Sequence, residues 1–180
     1  MMDDANMPNL LSAPLFGFLD AGDPVYDATR RFVLSPDNPY YYRGRVASGL
    51  GSPHTPANWV WPLGIIAQGL TASSATAMRA ALYTLSATDS DDGLMHESFD
   101  ADDDGRYTRA EFGWANAMYA EIVFRSATDL AAPDLFPHDC LLCLVRSTGA
   151  HRIVNDLARA ENTAGVIAAF ERAVPLLSGG

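Results

Sequence analysis

Residues 59–70 are the most restrictive stretch of this sequence, because apolar side chains surround nearly the whole helix that they predict. A helix without a polar face is stable only when other elements enclose it. The next stretch, residues 74–86, has apolar residues at helical spacing on one side and more polar residues on the other. The two stretches therefore predict an inner helix covered by an outer one.

Two further helices are predicted on either side of this pair. Residues 23–34 begin with Asp and Pro, which cap the free amides and suit the first helical position. Residues 112–124 repeat apolar side chains at helical spacing. The connecting segments 35–58 and 87–106 are rich in turn-forming residues and contain almost no convincing strand. We predict an all-α fold whose inner and outer helices alternate as in an α/α toroid, with a site on the loops at one rim.

The length and charge of the chain limit what it can be. Its 180 residues suit one domain, which we place at 1–130, followed by an appended helical tail at 131–180. The net charge of -10, from 22 acidic and 12 basic residues, argues against a nucleic-acid partner. No apolar stretch is long enough to cross a membrane, and no signal peptide is recognisable at the acidic N-terminus. Cellular location and oligomeric state stay open.

The tail contains the two cysteines of the chain, Cys140 and Cys143, close to His138. These three residues have the character of half a metal site, but structural zinc takes four ligands and no second cluster is evident. We therefore expect the cysteines to pack as small apolar residues on a helix face.

Short polar and aromatic strings recur in the connecting segments and at the predicted helix ends. They are Asp3-Asp4-Ala5-Asn6, Asn38-Pro39-Tyr40, Gly51-Ser52-Pro53-His54-Thr55-Pro56, Met95-His96-Glu97-Ser98-Phe99, Tyr107-Thr108-Arg109 and Trp114-Ala115-Asn116. Connecting segments on a rigid scaffold are the usual place for a functional site. The mixture of carboxylates, imidazoles and rings favours carbohydrate chemistry.

Taken in order, these strings resemble the C-terminal part of glycoside hydrolase family 125, over roughly residues 1–126. The resemblance implies an (α/α)6 barrel, of which this chain would be about the closing half. It also implies a metal-independent, inverting exo-α-1,6-mannosidase that needs no cofactor. The partner would be an α-mannoside oligosaccharide or glycan, cleaved at its terminal mannose. Residues 1–130 would then be the C-terminal part of the catalytic domain.

The same resemblance assigns roles to individual residues. The glutamate of the His-Glu-Ser-Phe string resembles the family's general base, which makes Glu97 the predicted base. Inverting glycosidases pair this carboxylate with a carboxylic acid about 6.5–9.5 Å away. By resemblance, that acid is an aspartate in a part of the fold that would precede Met1. The predicted sugar contacts are Asp3, Asp4, Asn6, His54, Thr55, His96, Arg109 and Trp114.

Each assignment has a plainer alternative in the residues themselves. Glu97 could be a solvated loop carboxylate, Trp114 a core residue, and Asp3 and Asp4 part of a frayed acidic terminus. A chain without the general acid would be a non-catalytic fragment or a pseudo-enzyme. We therefore leave open whether the isolated chain is an active enzyme.

Residues 100–111 raise a different possibility, a calcium-binding loop. Its EF-hand pattern places Asp100, Asp102, Asp104 and Glu111 at the first, third, fifth and twelfth positions. An EF-hand requires a helix directly before Asp100, but the polar residues 89–93 interrupt one, and no second loop is present to pair with it. A calcium-binding module is thus an alternative to the mannosidase, and we predict no dedicated metal site.

Overall fold

A computed structural model describes residues 2–90 and 92–130, with side chains as far as residue 126 in the last helix. The predicted tail at 131–180, including His138, Cys140 and Cys143, lies outside the described residues. A 3-10 turn covers Ala13–Phe16. The helices are α1 (Pro24–Val33), α2 (Pro62–Leu70), α3 (Ala75–Ser86) and α4 (Gly113–Leu130), and the strands are β1 (Tyr41–Arg43), β2 (Ser48–Leu50), β3 (Trp59–Val60), β4 (Ser98–Asp100) and β5 (Asp103–Thr108).

The all-α prediction is wrong, because two antiparallel sheets accompany the four helices of the described chain. Strands β1 and β2 form a pair, and β3, β4 and β5 form a three-stranded sheet with β4 in the centre. The described residues are therefore a mixed α/β structure and not an all-α toroid. These strands lie almost entirely in the segments that the sequence predicted as loops, where main-chain pairing satisfies the backbone polar groups.

Helix α2 lies at the centre of the fold and packs against α3 and α4. Every residue of α2 except Gln68 is buried, as expected of a helix without a polar face. It begins later than predicted, since Trp59 and Val60 pair with β4 instead. Gly69 permits the close contact of three helices: a Cβ atom there would lie 2.4 Å from the Ile122 side chain and 2.9 Å from Ala81.

Capping explains the start of α1. The Asp23 carboxylate accepts hydrogen bonds from the amides of Val25 and Tyr26, at 2.7 and 3.2 Å, and Pro24 takes the first helical position. The buried hydroxyl of Tyr26 donates to the Leu11 carbonyl at 2.7 Å and so ties α1 to the N-terminal segment. No helix among the described residues has the length and apolar character that a membrane span requires.

Candidate functional site

The β4–β5 hairpin fixes the main chain at Glu97. The Glu97 amide donates to the carbonyls of Thr108 and Arg109, at 3.1 and 3.3 Å. One residue further on, the buried hydroxyl of Ser98 lies 2.7 Å from that of Thr108 and closes this end of the sheet. The Glu97 side chain therefore extends from a defined position at the end of the hairpin.

The Glu97 side chain is only 13% exposed and forms an ion pair with Arg109, whose Nε lies 3.2 Å from Oε1. The Arg109 side chain is 68% exposed. Within the described residues, Arg109 is the only partner of this carboxylate. Arg109 also has a φ of 46°, a left-handed conformation that a residue with a long side chain rarely adopts. Strain of this kind concentrates at functional sites.

His96, the residue before Glu97, is buried in the interior. Its imidazole is almost fully buried and stacks on Tyr107, with ring centroids 3.7 Å apart and planes 8° apart. Its Nδ1 donates to the Ala110 carbonyl at 2.8 Å, since a carbonyl can only accept. Its Nε2 is 3.8 Å from Asp92 Oδ2, beyond hydrogen-bond distance. The ring supports the segment that carries Glu97, and its buried surface leaves little room for a sugar.

Asn116 fixes the same segment from α4. Its Oδ1 accepts from the Met95 amide at 3.1 Å, and its Nδ2 donates to the carbonyls of Met95 and Phe112, both at 2.9 Å. Asn116 belongs to the string Trp114-Ala115-Asn116, but its sequence context predicts no role for it. Its only signal was an amide side chain one turn after Phe112.

A second cluster joins the N-terminal segment to residues 52–55. The Ser52 hydroxyl donates to Asp4 Oδ2 at 3.2 Å and accepts from Asn6 Nδ2 at 3.0 Å. The Asp4 carboxylate also accepts from the Asn6 amide at 2.9 Å. Close beside it, the Ala5 amide donates to the Gly51 carbonyl at 2.9 Å. The predicted residues Asp4 and Asn6 are therefore held against the loop that carries His54.

Gly51 is required where this loop turns. A Cβ atom at Gly51 would lie 2.2 Å from the Trp59 carbonyl oxygen and 2.5 Å from the Tyr42 ring. Only glycine permits this approach of the two chain segments. The exposed His54 follows three residues later, so the close contact fixes where its loop begins.

Asp3 contacts a different part of the N-terminal segment. Its Oδ2 accepts from the Leu10 amide at 3.1 Å, and its carbonyl accepts from Asn38 Nδ2 at 2.9 Å. Burial raises the pKa of Asp3, and the nearby charge of Asp4 adds to this, while hydrogen bonds from the amides of Leu11 and Leu10 oppose it. These contacts hold the described N-terminus in place.

Aromatic side chains connect the two clusters. The indole of Trp61 donates to Thr55 Oγ1 at 2.9 Å, and its ring meets Phe112 edge-on, with centroids 6.1 Å apart. The Phe112 amide in turn donates to the Met95 carbonyl at 3.3 Å. A continuous set of contacts thus joins the His54 loop to the Glu97 segment through the core.

Trp114 lies next along this series, with its ring centroid 6.3 Å from that of Phe112. It is 43% exposed and lines a cavity of about 500 Å³ between the N-terminal segment and α4. The lining is mostly apolar, with Met7, Leu15 and Met118 among its members. None of the other predicted site residues lines this cavity, so the structure does not group Trp114 with the candidate carboxylate.

The segment of the calcium alternative forms the β4–β5 hairpin instead of a helix, loop and helix. Asp100 accepts from Arg106 Nη1 at 2.7 Å, and Asp102 accepts from the Arg45 amide at 2.6 Å. Hydrogen bonds from that amide and from the Asn58 side chain lower the pKa of Asp102. Among the described residues, no three acidic, histidine or cysteine side chains come together as metal ligands. The geometry gives the EF-hand alternative no support.

The site thus contains a mostly buried carboxylate paired with a strained arginine, together with an amide, a hydroxyl and an imidazole on connecting segments. Such a carboxylate is one half of the pair that most glycoside hydrolases use. Comparison with known proteins makes the class specific. The chain belongs to glycoside hydrolase family 125, since residues 1–124 match the family described as metal-independent alpha-mannosidase (GH125).

Two relatives extend this comparison. The chain is 45% identical over 123 residues to the meiotically up-regulated gene 157 protein of Schizosaccharomyces pombe, a match that covers 68% of the chain and 24% of that protein. It is also similar to a solved metal-independent alpha mannosidase of Streptococcus pneumoniae in a non-productive complex with alpha-1,6-mannobiose. Identity is 47%, the TM-score is 0.69, and the match covers 69% of this chain and 29% of the solved one. The chain spans less than a third of the length of either relative.

Proposed function

We propose that this chain carries the general-base part of an inverting exo-α-1,6-mannosidase site, with Glu97 as the base. The single observation that carries the proposal is the state of the Glu97 carboxylate. It is mostly buried, and the exposed Arg109 is its only partner among the described residues. By contrast, Asp4 and Asp100 are occupied by several hydrogen bonds each.

In the proposed reaction, Glu97 accepts a proton from a water molecule as that water attacks the anomeric carbon of the terminal mannose. The bond between this carbon and the leaving oxygen breaks, and a carboxylic acid on the other side protonates that oxygen. The configuration inverts, so β-mannose is released. Family membership and the mannobiose complex of the relative support α-linked mannose as the substrate class.

We further propose that the general acid lies in a part of the family fold that this chain does not span, because the chain covers only 24–29% of its relatives. Within the described residues, Asp3 is the best alternative, since burial raises its pKa as a proton donor requires. The proposed sugar contacts are Asp4, Asn6, His54, Thr55 and Arg109, which lie on the segments around the two clusters.

The test uses a chimera in which residues 1–124 replace the matching segment of the Streptococcus pneumoniae relative. We expect it to hydrolyse α-1,6-mannobiose without loss of rate in EDTA and to release β-mannose. A general base contributes about 10²–10⁴-fold to the rate, so Glu97→Gln should lower turnover by that factor and leave mannobiose affinity nearly unchanged. The matched control is Glu121→Gln, because Glu121 also pairs with an arginine, Arg125, but on α4. A Glu97→Gln chimera within tenfold of the unmutated chimera would refute the assignment.

The limited coverage also favours a second candidate function, mannoside binding without hydrolysis by the chain alone. The 180-residue chain should then bind mannobiose and release no mannose. Release of β-mannose by the isolated chain would refute this candidate and place the acid within these residues, with Asp3 to be tested first.

A further inference from the structure

The Ser52 hydroxyl is the shared partner in the cluster that joins the N-terminal segment to residues 52–55. It is 2% exposed, and it reaches Asp4 and Asn6, which lie 48 and 46 residues away in the sequence. It also accepts from the His54 amide at 3.3 Å. One hydroxyl therefore contacts both sequence-distant segments that carry proposed sugar contacts.

The donor and acceptor roles of Ser52 follow from the chemistry of its partners. A hydroxyl has one donor hydrogen and two acceptor lone pairs. A carboxylate oxygen accepts, so the Ser52 hydrogen points to Asp4 Oδ2, while the lone pairs accept from the Asn6 side-chain amide and the His54 main-chain amide. The hydrogen-bonding capacity of Ser52 is fully used, which fixes its orientation.

Ser86 and Ser12, two other buried serines of the described residues, each make a local hydrogen bond. Ser86 is equally buried, and its hydroxyl donates to the carbonyl three residues earlier, that of Tyr83, at 3.1 Å. Ser12 likewise donates to the Asn9 carbonyl at 3.1 Å. Local bonds of this kind satisfy a buried hydroxyl at little cost. The three bonds of Ser52 include two that connect distant parts of the chain.

We propose that Ser52 is a positioning residue of the site: it sets Asp4 and Asn6 at a fixed offset from His54, so that both segments meet the same mannose. This inference rests on the proposed mannoside-binding function. The Ser52 main chain adds to the role, because its carbonyl accepts from the Thr55 amide at 3.3 Å and thereby shapes the turn that presents His54.

The test compares Ser52→Ala with Ser86→Ala in the 180-residue chain, since the two serines match in type and burial. Titration of the ¹⁵N-labelled chain with α-1,6-mannobiose reports affinity. The side-chain amide of Asn6 and the main-chain amide of His54 report the connection itself. We expect Ser52→Ala to weaken affinity about tenfold, the effect of losing roughly one hydrogen bond to a charged group, and to shift both reporter signals. Ser86→Ala should change affinity less than twofold and shift neither signal.

The two measurements separate this inference from the proposed function. If the unmutated chain does not bind mannobiose, binding by this chain is refuted, and the amide signals alone decide whether Ser52 joins the segments. If the unmutated chain binds and Ser52→Ala binds within twofold of it, the positioning role is refuted. A shift at His54 with none at Asn6 would also refute it. If Ser52→Ala does not fold, protection of the Asn6 side-chain amide from hydrogen exchange in the unmutated chain decides: slow exchange supports its bond to Ser52 and rapid exchange refutes it.

Discussion

Replacing Asn116 by alanine tests whether tertiary hydrogen bonds fix the Glu97 segment. The side chain of Asn116 makes three hydrogen bonds to main-chain groups of Met95 and Phe112. Met95 is 1% exposed, so water cannot readily replace a lost partner. The substitution removes the bonds without adding bulk.

The magnitude follows from what each main-chain group retains. The Met95 carbonyl keeps the Phe112 amide at 3.3 Å, and the Phe112 carbonyl keeps the Asn116 amide at 3.1 Å. The Met95 amide has no other partner among the described residues, and an unsatisfied buried donor costs about 1–3 kcal/mol. Because alanine favours the helix more than asparagine does, the substitution regains about 0.5 kcal/mol of stability. We therefore expect a loss of about 1.5 kcal/mol in the free energy of unfolding, or about 3–6 °C in Tm for a chain of this size.

The assay is urea and thermal unfolding followed by circular dichroism, with hydrogen exchange measured at the Met95 amide. Gln68→Ala is the matched control, because Gln68 is a half-buried helical amide whose side chain has no hydrogen bond among the described residues. It should change stability by less than about 0.5 kcal/mol. The reasoning fails if Asn116→Ala is as stable as this control and the Met95 amide stays protected.

Two further predictions concern Asp3 and Arg109. Because burial raises the pKa of Asp3 above its ordinary 3.8, ionising this side chain destabilises the fold progressively as pH rises through that raised pKa. Asp3→Asn should therefore melt higher than the unmutated chain at pH 7 and no higher at pH 3; equal differences at both pH values would contradict this. Replacing Arg109 by either Gly or Ala breaks the ion pair with Glu97, but only Gly relieves the positive φ. We expect Arg109→Gly to be more stable than Arg109→Ala by about 0.5–1 kcal/mol in urea unfolding. Equal stability of the two variants would show that the backbone at this position carries no strain.

The helices follow from local sequence, and the strands do not. Helix α1 begins where an aspartate and a proline stand together, and α2 is buried where apolar residues surround the helix. Strand β3 has two residues and β4 has three, too short for an alternating pattern. The sequence at Trp59 and Val60 is as typical of the first turn of an apolar helix as it is of a strand. Pairing with Asp100 and Phe99, about 40 residues away in sequence, decided their conformation.

The candidate site, too, could be predicted from the sequence only in part. Two of the strings that the sequence singled out do come together, since the structure brings Asp4 and Asn6 to the loop of His54. Sequence could not rank the members of each string. His96 has the residue type of a ligand, yet its ring is buried beneath Tyr107. Burial of a side chain depends on which distant segment covers it.

Ser52 and Asn116 show why sequence alone could not identify the residues that fix the site. Both are small polar residues without chemistry of their own, and both work through main-chain or side-chain groups of another segment. Their identity constrains the site because each satisfies three hydrogen bonds at once, which no apolar residue of similar size can do. Sequence pattern records the type of a residue and not how many partners it has.

The geometry of Glu97 therefore depends on contacts that are remote from its own chemistry. The hairpin holds the Glu97 amide, Asn116 holds the residue two positions before it, and the neighbouring His96 stacks on Tyr107. Arg109 adopts a left-handed conformation, which costs about 1–2 kcal/mol, while its exposed side chain is paired with the mostly buried Glu97 carboxylate. The left-handed backbone of Arg109 accompanies a guanidinium that lies beside Glu97, and this ion pair is part of the observation from which we propose Glu97 as the base.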